Sequence, residues 1–469
     1  MRINKILWFA KENKAVIIFF VVSTLYLLLQ HYLYISWDFS VYVSNAKYWF
    51  SNGNYFELIR PPLASLIIGI LGIFKFYEFG KYAFIVLSGL LYFIMCIKLA
   101  ERLKINKILF YALCLNPYVL TWATSVGTEL FTLSLIGIFI LSLMNNLNGG
   151  ILLGLASITR YQMTPLSALL LFYKKPSKII INAIYFSIPI LLWLGFNYYS
   201  TGNPLTAIAD SYAQNVLARQ EITKPFDFMQ LLVVLNVMLP LFIYYIYRLG
   251  DKRFRSEQIK EWKINLIMLA IAAFTIYIYA KTPSKEIRYL FNLTLPLAYF
   301  SAKALNKFDV NKIGRALGLI FLIGTIGFFI ANYPNSSIPR QQFEQDVSEI
   351  DSLGIKNCSI RSDVWPLLSY YGFSANFNRI ELTQKYIDDG EYLVLFPKYG
   401  EYKYKDLNES FIVKRTNDYI VMGNEAKPCN KAKPVYHSFL QGYNETLFLF
   451  RNETANINPY NILFKKACC

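Results

Sequence analysis

Histidine and acidic residues are scarce in this chain. Its 469 residues include two histidines, His31 and His437, and 30 Asp and Glu against 47 Lys and Arg. Histidine-based metal sites and Ser-His-Asp triads need histidine beside other ligands or a nucleophile, so both classes of site are nearly excluded. The six cysteines form no CxxC pair and no Cys/His spacing typical of a metal site.

The excess of basic residues does not indicate a nucleic-acid-binding protein. The net charge is +17, but no basic stretch is interleaved with aromatic residues on a polar surface. Lys and Arg gather instead in short loops between apolar runs, as the positive-inside rule describes for membrane proteins. We therefore expect membrane lipids, and no nucleic acid, among the partners.

Apolar and aromatic residues are abundant. The chain is 55% hydrophobic and 17% aromatic, and its mean hydropathy is +0.34. A run of about 20 apolar residues crosses a bilayer, and each crossing segment must satisfy its own backbone hydrogen bonds as a helix. The sequence therefore predicts a polytopic α-helical membrane protein. The eleven predicted spans are 15–35, 82–100, 107–122, 129–144, 149–159, 163–174, 179–199, 228–247, 264–281, 289–305 and 314–332.

The distribution of charge predicts the orientation in the membrane. The run 15–35 is too long for the apolar part of a signal peptide, so we interpret it as a retained first span. Loops assigned to the cytoplasm hold about twice as many Lys and Arg as those assigned outside, which predicts a cytoplasmic N-terminus. The run 63–74 is too short to span, and we expect an interfacial helix there within the external loop 36–81.

The composition changes after residue 332 and divides the chain into two predicted domains. Residues 1–332 form the transmembrane domain, and residues 333–469 form a small extracytoplasmic α/β domain. In the tail, FEQDVSEIDSLG and DVWPLLSYYG indicate helices, whereas EYLVLFP and FIVKRTNDYIVMG indicate three strands. Cys358 and Cys429 either pair as a disulfide or remain separate thiols. The composition and the N-glycosylation sequons of the tail suggest an archaeal plasma membrane.

Charged side chains recur in all five predicted external segments. Ionisable groups at the mouth of a membrane are costly to bury and usually have a function. A carboxylate can accept a proton from an attacking hydroxyl, and arginines can hold a phosphate and stabilise it as it leaves. These groups therefore predict the transfer of a group from a lipid phosphate. They are Asp38, Glu57, Arg60, Glu129, Arg160, Asp210, Arg219, Glu286 and Arg288.

Each charge also has a structural interpretation. Asp38 could cap a helix beginning near residue 40, and Glu129 could cap its own span. Arg60, which precedes two prolines, could extend to the bilayer interface. Glu286 and Arg288 could pair with each other. Their occurrence together on one side of the membrane favours the functional interpretation.

The order of these features resembles the GT-C superfamily of membrane glycosyltransferases that use lipid-phosphate-linked sugars. The likeness covers about residues 15–305 and is greatest to the protein O-mannosyltransferase and aminoarabinose-transferase (ArnT-like) branch. Its parts are an acid after the first span at Asp38, the sequence RPPL beginning at Arg60, and the segments GTELF, LASITRYQMTPL and SKEIRYLFNLTLPL. Two departures are the Phe39 that follows Asp38, where many relatives have a second acid, and the absence of a WWD-type motif from the tail.

The resemblance implies a GT-C fold with an extracytoplasmic active site. It implies inverting transfer of a single sugar, mannose or a similar hexose, from a dolichyl or other polyprenyl phosphate to a glycan, protein or lipid acceptor. It makes Asp38 the catalytic residue, as general base or as the group that positions the acceptor. The residues that we expect to bind substrate are Glu57, Arg60, Glu129, Arg160, Tyr161, Glu286, Arg288 and Tyr289.

Two alternatives to this enzyme and one question about a cofactor remain open. The chain could be a transporter or flippase of lipid-linked saccharides, although no repeated halves and no midplane charges favour it. It could also be a catalytically silent GT-C relative that serves as a binding subunit. No cofactor is required by the motifs, although Asp38 and Glu129 could share a divalent cation.

Overall fold

The computed structural model describes residues 14–123, 127–217, 219, 223–236, 238–305, 338–377, 383–399, 409–424 and 428–437. The described part up to residue 305 is almost entirely helical. Its α-helices are α1 Lys14–Leu33, α2 Trp37–Ser51, α3 Pro62–Leu71, α4 Tyr77–Leu103, α5 Lys107–Cys114, α6 Pro117–Trp122, α7 Glu129–Met144, α8 Gly150–Ser157, α9 Pro176–Thr201, α10 Thr206–Tyr212, α11 Phe228–Leu235, α12 Met238–Arg248, α13 Lys252–Lys260, α14 Trp262–Lys281 and α15 Thr294–Leu305. Two 3₁₀ helices, Tyr161–Phe172 and Ile287–Leu293, complete this part together with a π-helix at Ala213–Leu217.

Four of the described helices, α1, α4, α9 and α14, are long and apolar enough to cross a bilayer. Helices α11 and α12 meet at a bend of 81° and would form a fifth crossing if they act as one broken span. The chain is thus a polytopic helical protein, and the number of eleven spans stays a prediction. The last predicted span, 314–332, lies outside the described residues.

Two predicted spans are interrupted for identifiable reasons. The run 107–122 divides into α5 and α6 because Asn116 caps α6, its side chain accepting a hydrogen bond from the Val119 N–H at 3.1 Å, and Pro117 follows. The run 163–174 lies in the 3₁₀ helix Tyr161–Phe172, which contains Pro165. Proline lacks the backbone donor that an α-helix would need at that position.

Helices α8 and α9 pack closely because α8 presents glycines to its neighbour. Gly150 and Gly154 lie one turn apart, and a Cβ on them would stand 2.0 Å from the Asn182 carbonyl oxygen and 2.3 Å from the Phe186 carbonyl oxygen. This small-residue spacing lets two helix backbones approach each other. The Asn182 side chain joins the contact by accepting from the Gly149 and Gly150 N–H groups, each at 2.8 Å. Because α8 ends at Ser157, this contact fixes the helix that leads to Arg160.

The segment after α1 is built from short elements. Strand β1, Tyr34–Ile35, precedes α2, and strand β2, Tyr55–Glu57, follows α2. The apolar run 63–74 forms the ten-residue α3, as expected for a run too short to span the bilayer. Buried residues of α2, α3 and α4, among them Tyr42, Ala64 and Phe84, share the main hydrophobic core with the spanning helices.

The described tail forms a five-stranded mixed sheet with helices beside it. Its helices are α16 Arg340–Ser352, α17 Trp365–Tyr370 and α18 Thr383–Asp388, and its strands are β3 Ile338–Pro339, β4 Ser359–Ser362, β5 Ser374–Phe377, β6 Tyr392–Leu395, β7 Ile412–Arg415, β8 Ile420–Met422 and β9 Val435–His437. The sheet order is β5-β4-β6-β8-β7, with β4 parallel to β5 and β6, and β8 antiparallel to β6 and β7. All elements predicted from the four tail segments are confirmed. The domain boundary and its extracytoplasmic side stay predictions.

Two strand pairs join the tail to the segment after α1. Strand β1 pairs antiparallel with β3, and β2 pairs parallel with β9, which places Glu57 opposite His437. Val41 of α2 and Tyr55 of β2 lie in the same hydrophobic cluster as Leu368 and Val421 of the tail. The tail sheet and the first loop therefore share one core.

The described cysteines form one disulfide and two free thiols. Cys358 and Cys429 form a disulfide with their Cα atoms 5.6 Å apart, so the pairing that the sequence left open is present in the structure. Cys96 and Cys114 are buried free thiols among the helices.

We predict that Gly154→Ala destabilises the protein by about 1–3 kcal/mol, because the new methyl group must displace the backbone of α9. The matched control is Gly195→Ala on α9, where a Cβ would meet no atom within 4 Å. That control should be neutral or stabilising by up to about 1 kcal/mol, since alanine favours helix over glycine. Thermal melting in detergent measures both, and equal melting temperatures for the two variants would contradict the packing argument.

Candidate functional site

Asp38 lies in the first turn of α2 but does not cap that helix. Ser36 is the cap: its hydroxyl accepts a hydrogen bond from the Phe39 N–H at 3.3 Å, and α2 begins at Trp37. The capping interpretation of Asp38 is therefore wrong, as is the predicted start near residue 40. The Asp38 carboxylate is instead available for contacts with distant parts of the chain.

Two arginines from different segments contact the two oxygens of Asp38. Arg60 Nη2 lies 2.8 Å from Oδ1, and Arg288 Nη1 donates to Oδ2 at 2.5 Å. Burial of Asp38 by itself would raise the pKa of its carboxyl, but the two guanidinium groups outweigh burial and lower that pKa to about 2. Asp38 is thus a carboxylate at any physiological pH.

The charges continue on both sides of Asp38 in an alternating chain, which we call the charge chain. Arg60 Nε donates to Glu57 Oε1 at 2.9 Å on one side. On the other side, Arg288 contacts Glu286, and Glu286 in turn pairs with Arg219. The charge chain comprises Glu57, Arg60, Asp38, Arg288, Glu286 and Arg219. The predicted Glu286–Arg288 pair is present, and it belongs to this larger arrangement.

A second ion pair lies beside the charge chain. Glu129, only 1% exposed, pairs with Arg160 and also accepts a hydrogen bond from the Thr128 N–H at 3.2 Å. Between this pair and Arg288 lies a small cleft. The cleft is lined by Glu129, Arg160, Gln162, Met163, Arg288, Tyr289, Phe291 and Asn292. Two guanidinium groups from separate segments therefore face one cleft.

The two tyrosines predicted to bind substrate have different surroundings. Tyr289 is buried and lines the cleft, with its ring centroid 5.7 Å from the Arg288 guanidinium carbon. The Tyr161 hydroxyl instead accepts a hydrogen bond from Trp193 Nε1 at 2.9 Å, within an aromatic cluster that includes Phe56. The substrate-binding roles of both tyrosines stay predictions.

Residues outside the sequence analysis also belong to the site. Tyr42 is fully buried and lies close enough to Asp38, Arg60, Glu129 and Arg160 to interact electrostatically with all four. It follows Asp38 by four residues on a helix, and this spacing is the signal that would have identified it. Tyr118 donates a hydrogen bond to the Ile287 carbonyl oxygen at 2.7 Å and so holds the backbone beside Arg288. No sequence motif pointed to that contact.

The carboxylates of the site are engaged mainly by guanidinium groups. Within the described ranges, no group of three or more His, Cys, Asp or Glu side chains is arranged to hold a metal ion. Sharing of a divalent cation between Asp38 and Glu129 stays a prediction. Asp210, which the sequence placed among the external charges, is buried in α10.

Comparison with known proteins finds a likeness in structure only. No protein family model matches the chain, and no curated protein matches it in sequence. The structure is similar to the crystal structure of ArnT from Cupriavidus metallidurans bound to undecaprenyl phosphate, with a TM-score of 0.57 and 12% sequence identity. The match covers 87% of this chain and 98% of that one. The chain therefore has an ArnT-like polytopic membrane fold.

We predict that Glu129→Gln and Arg160→Gln each destabilise the protein by about 3–5 kcal/mol, because each leaves a buried charge without its partner. The double variant should be more stable than either single variant, since neither charge remains. Lys98→Gln, whose side chain is 57% exposed in its pair with Glu101, is the control and should cost less than about 1 kcal/mol. Additive losses in the melting temperature of the double variant would contradict this prediction.

We also predict how Asp38 contributes to stability as the pH changes. Its pKa of about 2 in the folded protein lies below the value of about 3.9 in an unfolded chain, so its ionised form stabilises the folded state by roughly 2–3 kcal/mol. This stabilisation is nearly complete above about pH 4.5 and falls to roughly half by pH 3.

The measurement is the difference in melting temperature between the wild type and Asp38→Asn at several pH values. The difference should stay constant from neutral pH to about pH 4.5 and shrink below that. A difference that already shrinks between pH 7 and pH 5 would show that Asp38 is not held between two guanidinium groups.

Proposed function

We propose that this protein is a GT-C-type glycosyltransferase that transfers a single sugar from a polyprenyl-phosphate donor to an acceptor at the outer face of the membrane. The observation that carries the proposal is Asp38, held between Arg60 and Arg288, on an ArnT-like fold. The ArnT structure was determined with undecaprenyl phosphate bound, which supports a lipid phosphate as the donor's carrier. The donor sugar, mannose or a similar hexose, and a dolichyl carrier belong to this proposal.

The cleft beside Asp38 supports binding of the donor phosphate. Arg160 and Arg288 line it, and guanidinium groups bind phosphate oxygens in bidentate fashion. In the transfer, the acceptor hydroxyl attacks the anomeric carbon while the bond from that carbon to the phosphate oxygen breaks. The leaving phosphate gains a second negative charge, which nearby guanidinium groups stabilise. The acceptor proton passes to the carboxylate of Asp38.

The charge chain suggests how the weakly basic carboxylate of Asp38 could come to accept a proton. A carboxyl group with a pKa of about 2 is a poor proton acceptor at neutral pH, because the best base has a pKa near the working pH. The six charges of the charge chain cancel, so an incoming phosphate must draw a guanidinium group away from a carboxylate. When Arg288 turns toward phosphate, Asp38 loses one of its two counter-charges and its pKa rises. Donor binding would thus activate the base.

The test is sugar transfer by the purified protein. A radiolabelled polyprenyl-phosphate hexose serves as donor, and an extract of membranes supplies the acceptor. We expect Asp38→Asn to lower the transfer rate by roughly 10²–10⁴-fold, the usual contribution of a positioned acid or base. Lys98→Gln, which alters only an exposed ion pair, should keep the wild-type rate.

Two outcomes would contradict the proposal. Transfer that survives in Asp38→Asn would remove the assigned base. Movement of the intact donor across vesicles, without cleavage of the sugar from phosphate, would identify a transporter or flippase instead.

A further inference from the structure

A hydrogen-bonded path leads from the tail sheet to the charge chain. Trp365, the first residue of α17, donates from its indole Nε1 to the Tyr55 hydroxyl at 2.9 Å. The Tyr55 hydroxyl donates in turn to Glu57 Oε2 at 2.7 Å. All three side chains are buried. The path therefore joins two parts of the chain about 310 residues apart without passing through water.

Glu57 is fixed at its backbone as well as at its carboxylate. The Asn45 side chain accepts from the Glu57 N–H at 2.8 Å and donates to the Glu57 carbonyl oxygen at 2.9 Å. The pairing of β2 with β9 holds the same residue from the tail. Because the Glu57 backbone and the carboxylate oxygen Oε2 are both held, the buried side chain has almost no freedom to reorient. The direction of its second carboxylate oxygen, Oε1, is therefore set.

That second oxygen determines where Arg60 points. Glu57 Oε1 accepts from Arg60 Nε at 2.9 Å, and the far edge of the same guanidinium contacts Asp38 Oδ1 at 2.8 Å. A guanidinium group is planar and rigid, so two carboxylates on two edges fix its plane. Any rotation of the Glu57 carboxylate would therefore be passed on to the contact between Arg60 and Asp38.

We infer that Tyr55 and Trp365 are positioning residues that set the orientation of Arg60, and through it Asp38, by fixing the Glu57 carboxylate. The inference rests on the proposed function in so far as it assigns these residues a part in catalysis. Their hydrogen bonds lead to Glu57, and they act through that residue. The tail thus contributes to the site indirectly, through the hydrogen bond from Trp365 of α17 to Tyr55.

The test is Tyr55→Phe, which removes one hydroxyl from a fully buried ring and keeps the size of that ring. The reactivity of Arg60 toward phenylglyoxal, mapped by mass spectrometry, reports the freedom of its guanidinium group without any assay of activity. We expect Arg60 labelling to rise several-fold and the kcat for sugar transfer to fall roughly 10-fold, with KM for the donor changing less, because a displaced catalytic contact slows the reaction. Trp365→Phe should act in the same direction and more weakly, and it is the second variant if Tyr55→Phe fails to fold.

The matched control is Tyr419→Phe. Tyr419 is also a buried tyrosine, and its hydroxyl donates to a carboxylate, Glu349 Oε2, at 2.8 Å. This contact lies within the tail, between Tyr419 and α16, and takes no part in the hydrogen bonds that lead from Trp365 to Glu57. The control should leave both Arg60 labelling and kcat unchanged. Arg253, which is 85% exposed, serves as the internal reference for labelling in every variant.

The outcomes separate this inference from the proposed function. Arg60 labelling that is the same in Tyr55→Phe as in the wild type, or that rises equally in Tyr419→Phe, would overturn the inference and leave the enzyme assignment intact. A wild-type protein that transfers no sugar, with labelling that still distinguishes the two tyrosine variants, would remove the proposed function and preserve the positioning of Arg60 by Tyr55.

Discussion

The burial of the Asp38 carboxylate requires opposite charge beside it, and this requirement organises the surrounding structure. Its side chain is only 12% exposed, and a carboxylate removed from water is costly unless paired and hydrogen-bonded. Arg60 and Arg288 satisfy it, but each guanidinium group then needs a counter-charge of its own. Glu57 and Glu286 meet that need, and Arg219 completes the sequence of contacts. One buried acid thus accounts for the positions of five other charged residues.

The same constraint explains why the site draws on elements distant in sequence. Asp38 belongs to α2, Arg60 follows β2, and Arg288 lies in the 3₁₀ helix Ile287–Leu293. Helix packing brings these elements together. The tail strand β9 also contributes, because it pairs with β2 and lies beside Glu57. The charges of the charge chain already cancel, so in the proposed function a phosphate would bind by drawing a guanidinium group away from a carboxylate. In the proposed function, such an exchange would connect donor binding to the basicity of Asp38.

Sequence reasoning identified most of the charged residues of the site and misjudged some local details. Asp38, Arg60, Glu286 and Arg288 were singled out because charges beside apolar runs are costly, and the structure brings them together. The helix start near residue 40 was wrong, because Ser36 caps α2 and the helix begins at Trp37. Tyr55 and Trp365 were missed, since an isolated aromatic residue in a chain that is 17% aromatic carries little information.

The amino-acid sequence by itself determined the class of protein, since long apolar runs have no stable arrangement other than helices within a membrane. It also determined which charges must find partners, because their cost of burial depends only on residue type and surroundings. Only the tertiary structure decided which partners they find: Arg60 with Asp38 and Glu57, Arg160 with Glu129, and Arg219 with Glu286. Ion pairs form over a few ångströms, and the distances between these residues come from how the helices and the tail sheet pack, which no local pattern encodes.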